Sequence, residues 1–345
     1  MERHGRGSHA RGVPGDAARR PGVPGGVMGS GTLILPGFLT LFAPPGLLAA
    51  VVGAGEQGSP GEQGHGDHGQ HGGGAAGHAD AAVAAPWPLF EWLVLALVLL
   101  AAVAYCWCLW AGRGRRGVAT WRPVSFLAGL ACVGAGLVGP VAQAGHASFT
   151  MHMVGHLLVG MIGPLLLVLG APVRVLLRGL PTAGARRVTR VLRFPWIRFV
   201  MHPAVAAVLN VGGLWLLYTT GLFHWMHASA LGHAVVHTHI FLAGYVFTAS
   251  IAGPDPDPHR SSFRVRAAVL VLFIAAHSIL AKWLFAHPPA GVAPADAEVG
   301  AQLMYYGGDV VDVALIVLLF LGHHRATARR EPGARHPEVT ARDRA

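Results

Sequence analysis

The chain is short of charge, of lysine and of cysteine. Asp, Glu, Lys and Arg make up 12% of its 345 residues, where a soluble domain carries about a quarter. So little charge cannot cover a water-facing surface. With 53% hydrophobic residues and a mean hydropathy of +0.48, the sequence is that of a polytopic membrane protein. Lys282 is the only lysine among 26 Lys and Arg, so the net charge of +10 rests on arginine. Those arginines stand in short blocks between apolar runs, which is the pattern of orientation signals and not of a nucleic-acid face. Cys106, Cys108 and Cys132 all fall within apolar runs and leave no disulfide framework. The sequence has no Ser-His-Asp spacing, metalloprotease motif or phosphate loop, which points away from an enzyme.

What is present is a series of apolar runs. Seven, at about 89–110, 124–142, 148–169, 204–223, 231–252, 266–286 and 299–321, each have the length a helix needs to cross the hydrocarbon. They predict an all-α transmembrane bundle over 87–322. Before it come a basic, disordered stretch at 1–30 and a broken apolar stretch at 31–55, which is a signal-like segment or an extra span. A Gly/His-rich linker follows at 56–86, with His65, His68, His71 and His78. Residues 323–345 form a basic tail. Arginines crowd the connections after spans one, three and five and the tail, while 143–147, 224–230 and 287–298 hold no Arg or Lys. This predicts a cytoplasmic C-terminus and an extracytoplasmic 56–86. The stretch from Arg174 to Arg198 mixes arginine with Leu, Val, Phe and Trp, as an interfacial helix does.

The 21 histidines carry the chemistry. His152 and His156 lie four apart in span three, and His233 and His237 four apart in span five, so each pair shares a helix face. All four fall in the extracytoplasmic halves of their spans. Imidazoles inside a membrane are costly unless they meet a metal, a cofactor or a polar partner. Imidazole with thioether suits copper, with Met favouring Cu(I), and imidazole pairs on two helices also hold haem iron. His152, His156, His233 and His237 are therefore the candidate metal ligands, with spans three and five as neighbours around one shared cavity. His239, His277, Met304, Asp309 and Asp312 are further candidates. His239 and His277 are equally readable as structural. Asp309 and Asp312 either hold a ligand ring in place or pair with Lys282 or an arginine. Met151 and Met153 flank His152 and read as packing.

The runs HMVGHLLVGMIGPLLLVLGAPVRVLLRGLP, HPAVAAVLNVGGLWLLYTTGLFHWMHAS and LGHAVVHTHIFLAGYVFTASIAGPDP resemble the CtaG type of cytochrome c oxidase assembly protein. The resemblance covers about residues 87–322. It implies a multi-pass protein of the bacterial plasma membrane that helps form active haem–copper oxidase. The family is linked to the oxidase's copper centres and not to its catalysis. His152 with His156, and His233 with His237, match the family's two H-x-x-x-H elements. Thr238-His239, Asp309 and Asp312 depart from its pattern, and the first 86 residues lie outside it. The function this implies is transient copper binding with oxidase subunits or copper chaperones as partners. A copper transporter and a bis-His haem protein are the alternatives.

Overall fold

The computed structural model describes residues 86–114, 118–257 and 260–328. The expected disordered N-terminus, the signal-like segment, nearly all of the Gly/His linker and residues 329–345 of the tail lie outside the described residues. Helices and their connections account for everything described, and the architecture is a polytopic helical bundle.

Six helices are long and apolar enough to cross a membrane, and a bent pair brings the number to seven. Helix α1 is Pro86–Ala111. The second span is broken into α2, Trp121–Leu137, and α3, Pro140–Ala147. The break falls at Gly139, whose φ of 82° suits only glycine, with Pro140 opening the next turn. Helix α4 is Phe149–Leu169. The connection expected to be one interfacial helix is three short ones: α5, Pro172–Gly179, α6, Thr182–Leu192, and α7, Pro195–Val200. Helix α8, Pro203–Thr219, is followed at an angle of 80° by α9, Leu222–Ala228. The bundle closes with α10, Ala230–Ala252, α11, Phe263–Ala286, and α12, Pro294–Ala328. Helix α12 runs for 35 residues, past the expected boundary at 322 and into the basic tail.

Span α4 sits at the centre, 72% buried over its apolar window against 17% for α1. Its middle turns, Leu157–Ile162, widen into a π-helix. Pro164 has no N–H to return to the Gly160 carbonyl, so this widening is where its ring is accommodated. Gly244 of α10 packs on that same carbonyl. A Cβ at 244 would lie on the Gly160 oxygen, 3.0 Å from the Gly160 carbonyl carbon and 3.3 Å from Pro164 Cγ. The two spans therefore cross backbone to backbone, as small residues allow in a membrane.

Two carboxylates tie the ends together. Asp296, in the first turn of α12, caps the start of α4. Its oxygens accept from the backbone N–H groups of Phe149 (2.6 Å) and Thr150 (3.0 Å) and from the hydroxyls of Thr150 (2.6 Å) and Ser148 (3.0 Å). These N–H groups have no partner inside the helix, and a negative charge is favourable there. At the opposite, arginine-rich end, Asp255 accepts from the N–H groups of Arg174 (2.9 Å) and Val173 (3.2 Å) at the start of α5. The Arg174 guanidinium donates to the Pro254 carbonyl at 2.7 Å.

Two outcomes follow. Gly244→Ala drives a methyl into backbone that has no side chain to move aside, and it should cost about 2 kcal/mol. A thermal midpoint in detergent equal to wild type would show that the crossing is looser than described. Burial pushes the Asp255 carboxyl above the usual carboxylate range, while the two N–H groups and the Arg174 and Arg122 charges pull it part of the way back. A carboxyl raised in the folded state favours folding when protonated, and this contribution is lost as pH rises through the raised value. Relative to Asp255→Asn, wild type should therefore lose thermal stability as pH rises above the usual carboxylate range of about 4. A difference independent of pH would contradict this.

Candidate metal centre

At the end of the bundle opposite the arginines, five histidines meet. His146 ends α3, His152 lies in the first turns of α4, His227 lies on α9, and His233 and His237 lie on α10. They line one cavity of about 20 Å³, together with Met151 and Met226. That is room for one ion or one water molecule.

Four of the ring-to-ring spacings fall in the range that two imidazoles on one ion would need. His146 lies 5.3 Å from His233 and 6.1 Å from His227. His152 lies 5.6 Å from His227 and 6.3 Å from His237. With metal–nitrogen bonds of about 2 Å, two imidazoles on one ion have centroids about 5 Å apart when tetrahedral and about 6.3 Å apart when opposed. His233 and His237, stacked at 3.9 Å, are closer than that. One of them must turn if both are to bind. Among the described residues, no group of three or more His, Cys, Asp or Glu side chains is already placed to hold a metal ion.

Hydrogen bonds orient three of these rings. A carbonyl oxygen only accepts, so Nδ1 of His237, 3.0 Å from the His233 carbonyl, carries the proton. The same holds for Nδ1 of His227, 2.9 Å from the Phe223 carbonyl. In both rings the Nε2 lone pair is left for a ligand. Nε2 of His152 lies 3.1 Å from the Tyr218 hydroxyl, which itself reaches Met153 Sδ at 3.9 Å. Fixing one ring nitrogen by a protein hydrogen bond is how metal-binding histidines are oriented. Burial completes the environment, with His152, His233 and His237 each no more than 8% exposed.

The other sequence candidates are distributed as follows. Spans three and five are neighbours, as expected, and His152, His233 and His237 share the cavity. His156 does not line it. It lies one turn deeper, its ring 6.4 Å from that of His277. His239 points away, with Nε2 donating to the Leu209 carbonyl at 3.0 Å, inside the π-helical turns Val208–Gly212 of α8. Met304 is fully buried in an apolar cluster with Phe149, Met153 and Leu280. Asp312 is 1% exposed, and Asp309 is half-buried, within electrostatic reach of Lys282. Met153 is packing, as read from the sequence, but Met151 lines the cavity. His146, His227 and Tyr218 were not singled out. Helical periodicity gives no signal for the first two, because each stands beside a break between helices.

The chain can now be set against known proteins. No solved structure matches it. An uncharacterised protein of Mycobacterium leprae is 31% identical over 201 residues. Uncharacterised proteins of Mycobacterium bovis and Mycobacterium tuberculosis are each 32% identical over 199 residues. Each match covers 55% of this chain and 30% of the relative, so the chain spans less than a third of the length of these relatives. The sequence model of one family, described as cytochrome c oxidase caa3 assembly factor, matches residues 103–326, a range that contains every histidine of the cavity. On that match, the chain belongs to the cytochrome c oxidase caa3 assembly factor family.

Proposed function

We propose that the protein binds copper transiently at the five-histidine cavity and helps to metallate the oxidase, without catalysing a reaction itself. The observation that carries this reading is the cavity: five histidines, with Met151 and Met226, line a space for one ion. His227 and His237 offer Nε2, and His146, His152 and His233 complete the donor set, with His152 held by Tyr218. Imidazole and thioether together suit Cu(I) better than Mg²⁺, Ca²⁺ or Mn²⁺. His156, His239, Met304 and Asp309 stand outside this set.

The arginine distribution supports placing the cavity on the extracytoplasmic side of a bacterial plasma membrane, with α5–α7 and the C-terminus in the cytoplasm. A binder fits better than a transporter. Toward the arginine-rich end the interior is filled by Leu165, Phe247, Ile251, Leu270, Phe273, Leu315 and Leu319. A transporter needs polar groups that continue to the second face. The partners on this reading are copper chaperones that load the cavity and oxidase subunits that empty it.

The protein purified in detergent should bind about one equivalent of Cu(I), and His152→Gln with His237→Gln should weaken that binding at least tenfold. Binding unchanged in the double variant would remove the site assignment. A visible absorption spectrum separates the haem alternative: the expected result is no Soret band, and a Soret band lost in the same double variant would favour haem over copper.

A further inference from the structure

Beneath the cavity a second polar cluster is sealed inside the bundle. It is made of His156 on α4, His277 on α11 and Asp312 on α12, which are 4%, 1% and 1% exposed. Both ring nitrogens of His156, Nε2 of His277 and both carboxylate oxygens of Asp312 are buried without a hydrogen-bond partner. Nearly all buried polar groups have partners, so five such atoms on three neighbouring spans require an explanation. In an apolar bundle an unpaired carboxylate is among the most costly groups to bury.

The two rings lie side by side, and the carboxylate follows on a neighbouring span. The rings of His156 and His277 lie 21° from parallel with centroids 6.4 Å apart. Gly308 of α12 stands directly against the His277 ring, where a Cβ would come 2.6 Å from Cε1 and 3.1 Å from Nδ1. Asp312 follows Gly308 by one turn. Helical side chains lean toward the N-terminus, so its carboxyl covers the turn that carries Gly308 and the ring against it. At Gly160, one turn after His156, a Cβ would make only ordinary contact with that ring, 3.4 Å from Cε1 and Nδ1, its tight neighbour being Ile240 Cγ2 at 2.8 Å. The His277 ring thus occupies space that a side chain at position 308 would fill. Three spans each contribute one ligand-type side chain, and bulk is withheld beside the His277 ring.

We propose that His156, His277 and Asp312 form a second metal site that takes a borderline divalent ion of the Zn²⁺ class. Two imidazole nitrogens and a carboxylate oxygen make a harder donor set than the imidazole and thioether of the cavity above. The carboxylate offsets part of the ion's charge, and the set suits Zn²⁺ and not Cu(I). The ring spacing is close to the opposed limit of about 6.3 Å, and closing it by about 1 Å gives the tetrahedral arrangement. The fourth position is left for water or a passing ligand. His152 stands one turn above His156 on the same helix, which makes the cavity the way in. This inference does not depend on the cavity binding copper.

The test uses the full chain in detergent, with the cavity disabled by His152→Gln and His237→Gln. Titration with Zn²⁺ against a chromophoric chelator should show one bound equivalent. Adding Asp312→Asn or His277→Gln should weaken it at least tenfold. No equivalent in the disabled background, or one that Asp312→Asn leaves unchanged, overturns the proposal. The same background loaded with Co²⁺ gives a spectroscopic answer: an intense visible band of tetrahedral Co²⁺ should form and be lost when Asp312→Asn is added, and its persistence there overturns the site. The metal-free chain separates a structural role. Removing an unpaired buried carboxyl should leave its thermal midpoint unchanged or raised, and a fall marks Asp312 as a structural group and overturns the assignment.

Discussion

Helices α4 and α10 meet backbone to backbone at Gly160 and Gly244, and the placement of the histidines depends on that contact. Lipid offers apolar helices no hydrophobic reason to associate, so close packing between small residues takes over that role. Pro164 frees the Gly160 carbonyl, the π-helical turns widen the helix around it, and Gly244 lets the second span settle on it. Once the crossing is set, His152 and His237 are carried to 6.3 Å from each other. The cap that Asp296 places on α4 holds the same end of that helix to α12. A metal centre between separate spans has no covalent frame of its own, so its precision comes from contacts like these, outside the ligand shell.

Much of the bundle was legible in the sequence, because a membrane span is defined by length and apolarity, and both are local properties. The seven runs correspond to the described spans, including the bent one at α8 and α9. His152, His233 and His237 were legible through spacing. His156 shows the limit of spacing. Four residues advance an α-helix by about 40° beyond a full turn, enough for His152 to face α8, α9 and α10 while His156 faces α11. His146 and His227 were hidden for another reason. Their positions depend on the break at Gly139 and on the 80° bend after Thr219, and neither leaves a periodic trace. Asp296 had no local signal at all, since the Ser148 it holds is 148 residues away in the chain.

The bundle sorts its polar chemistry by depth. Five imidazoles stand around the upper cavity, His156, His277 and Asp312 lie beneath it, and the half toward the arginines is filled with Leu, Phe, Ile and Met. Such a gradient has a consequence for any ion that enters. Among the described residues no buried histidine lies in the half toward the arginines, and its buried sulfur groups, Met161 and Cys108, stand in separate clusters, so an imidazole-bound ion meets no matching ligand set there and leaves more readily by the end through which it came, or sideways to a partner seated at that end. A through-transporter cannot work in this way, whereas a factor that holds a metal for another membrane protein can. The fact that His227 and His237 donate Nδ1–H to backbone carbonyls of their own helices fits the same use. Those bonds already orient the two rings, so on the proposed reading loading and release would need small rotations of side chains and not a rearrangement of spans.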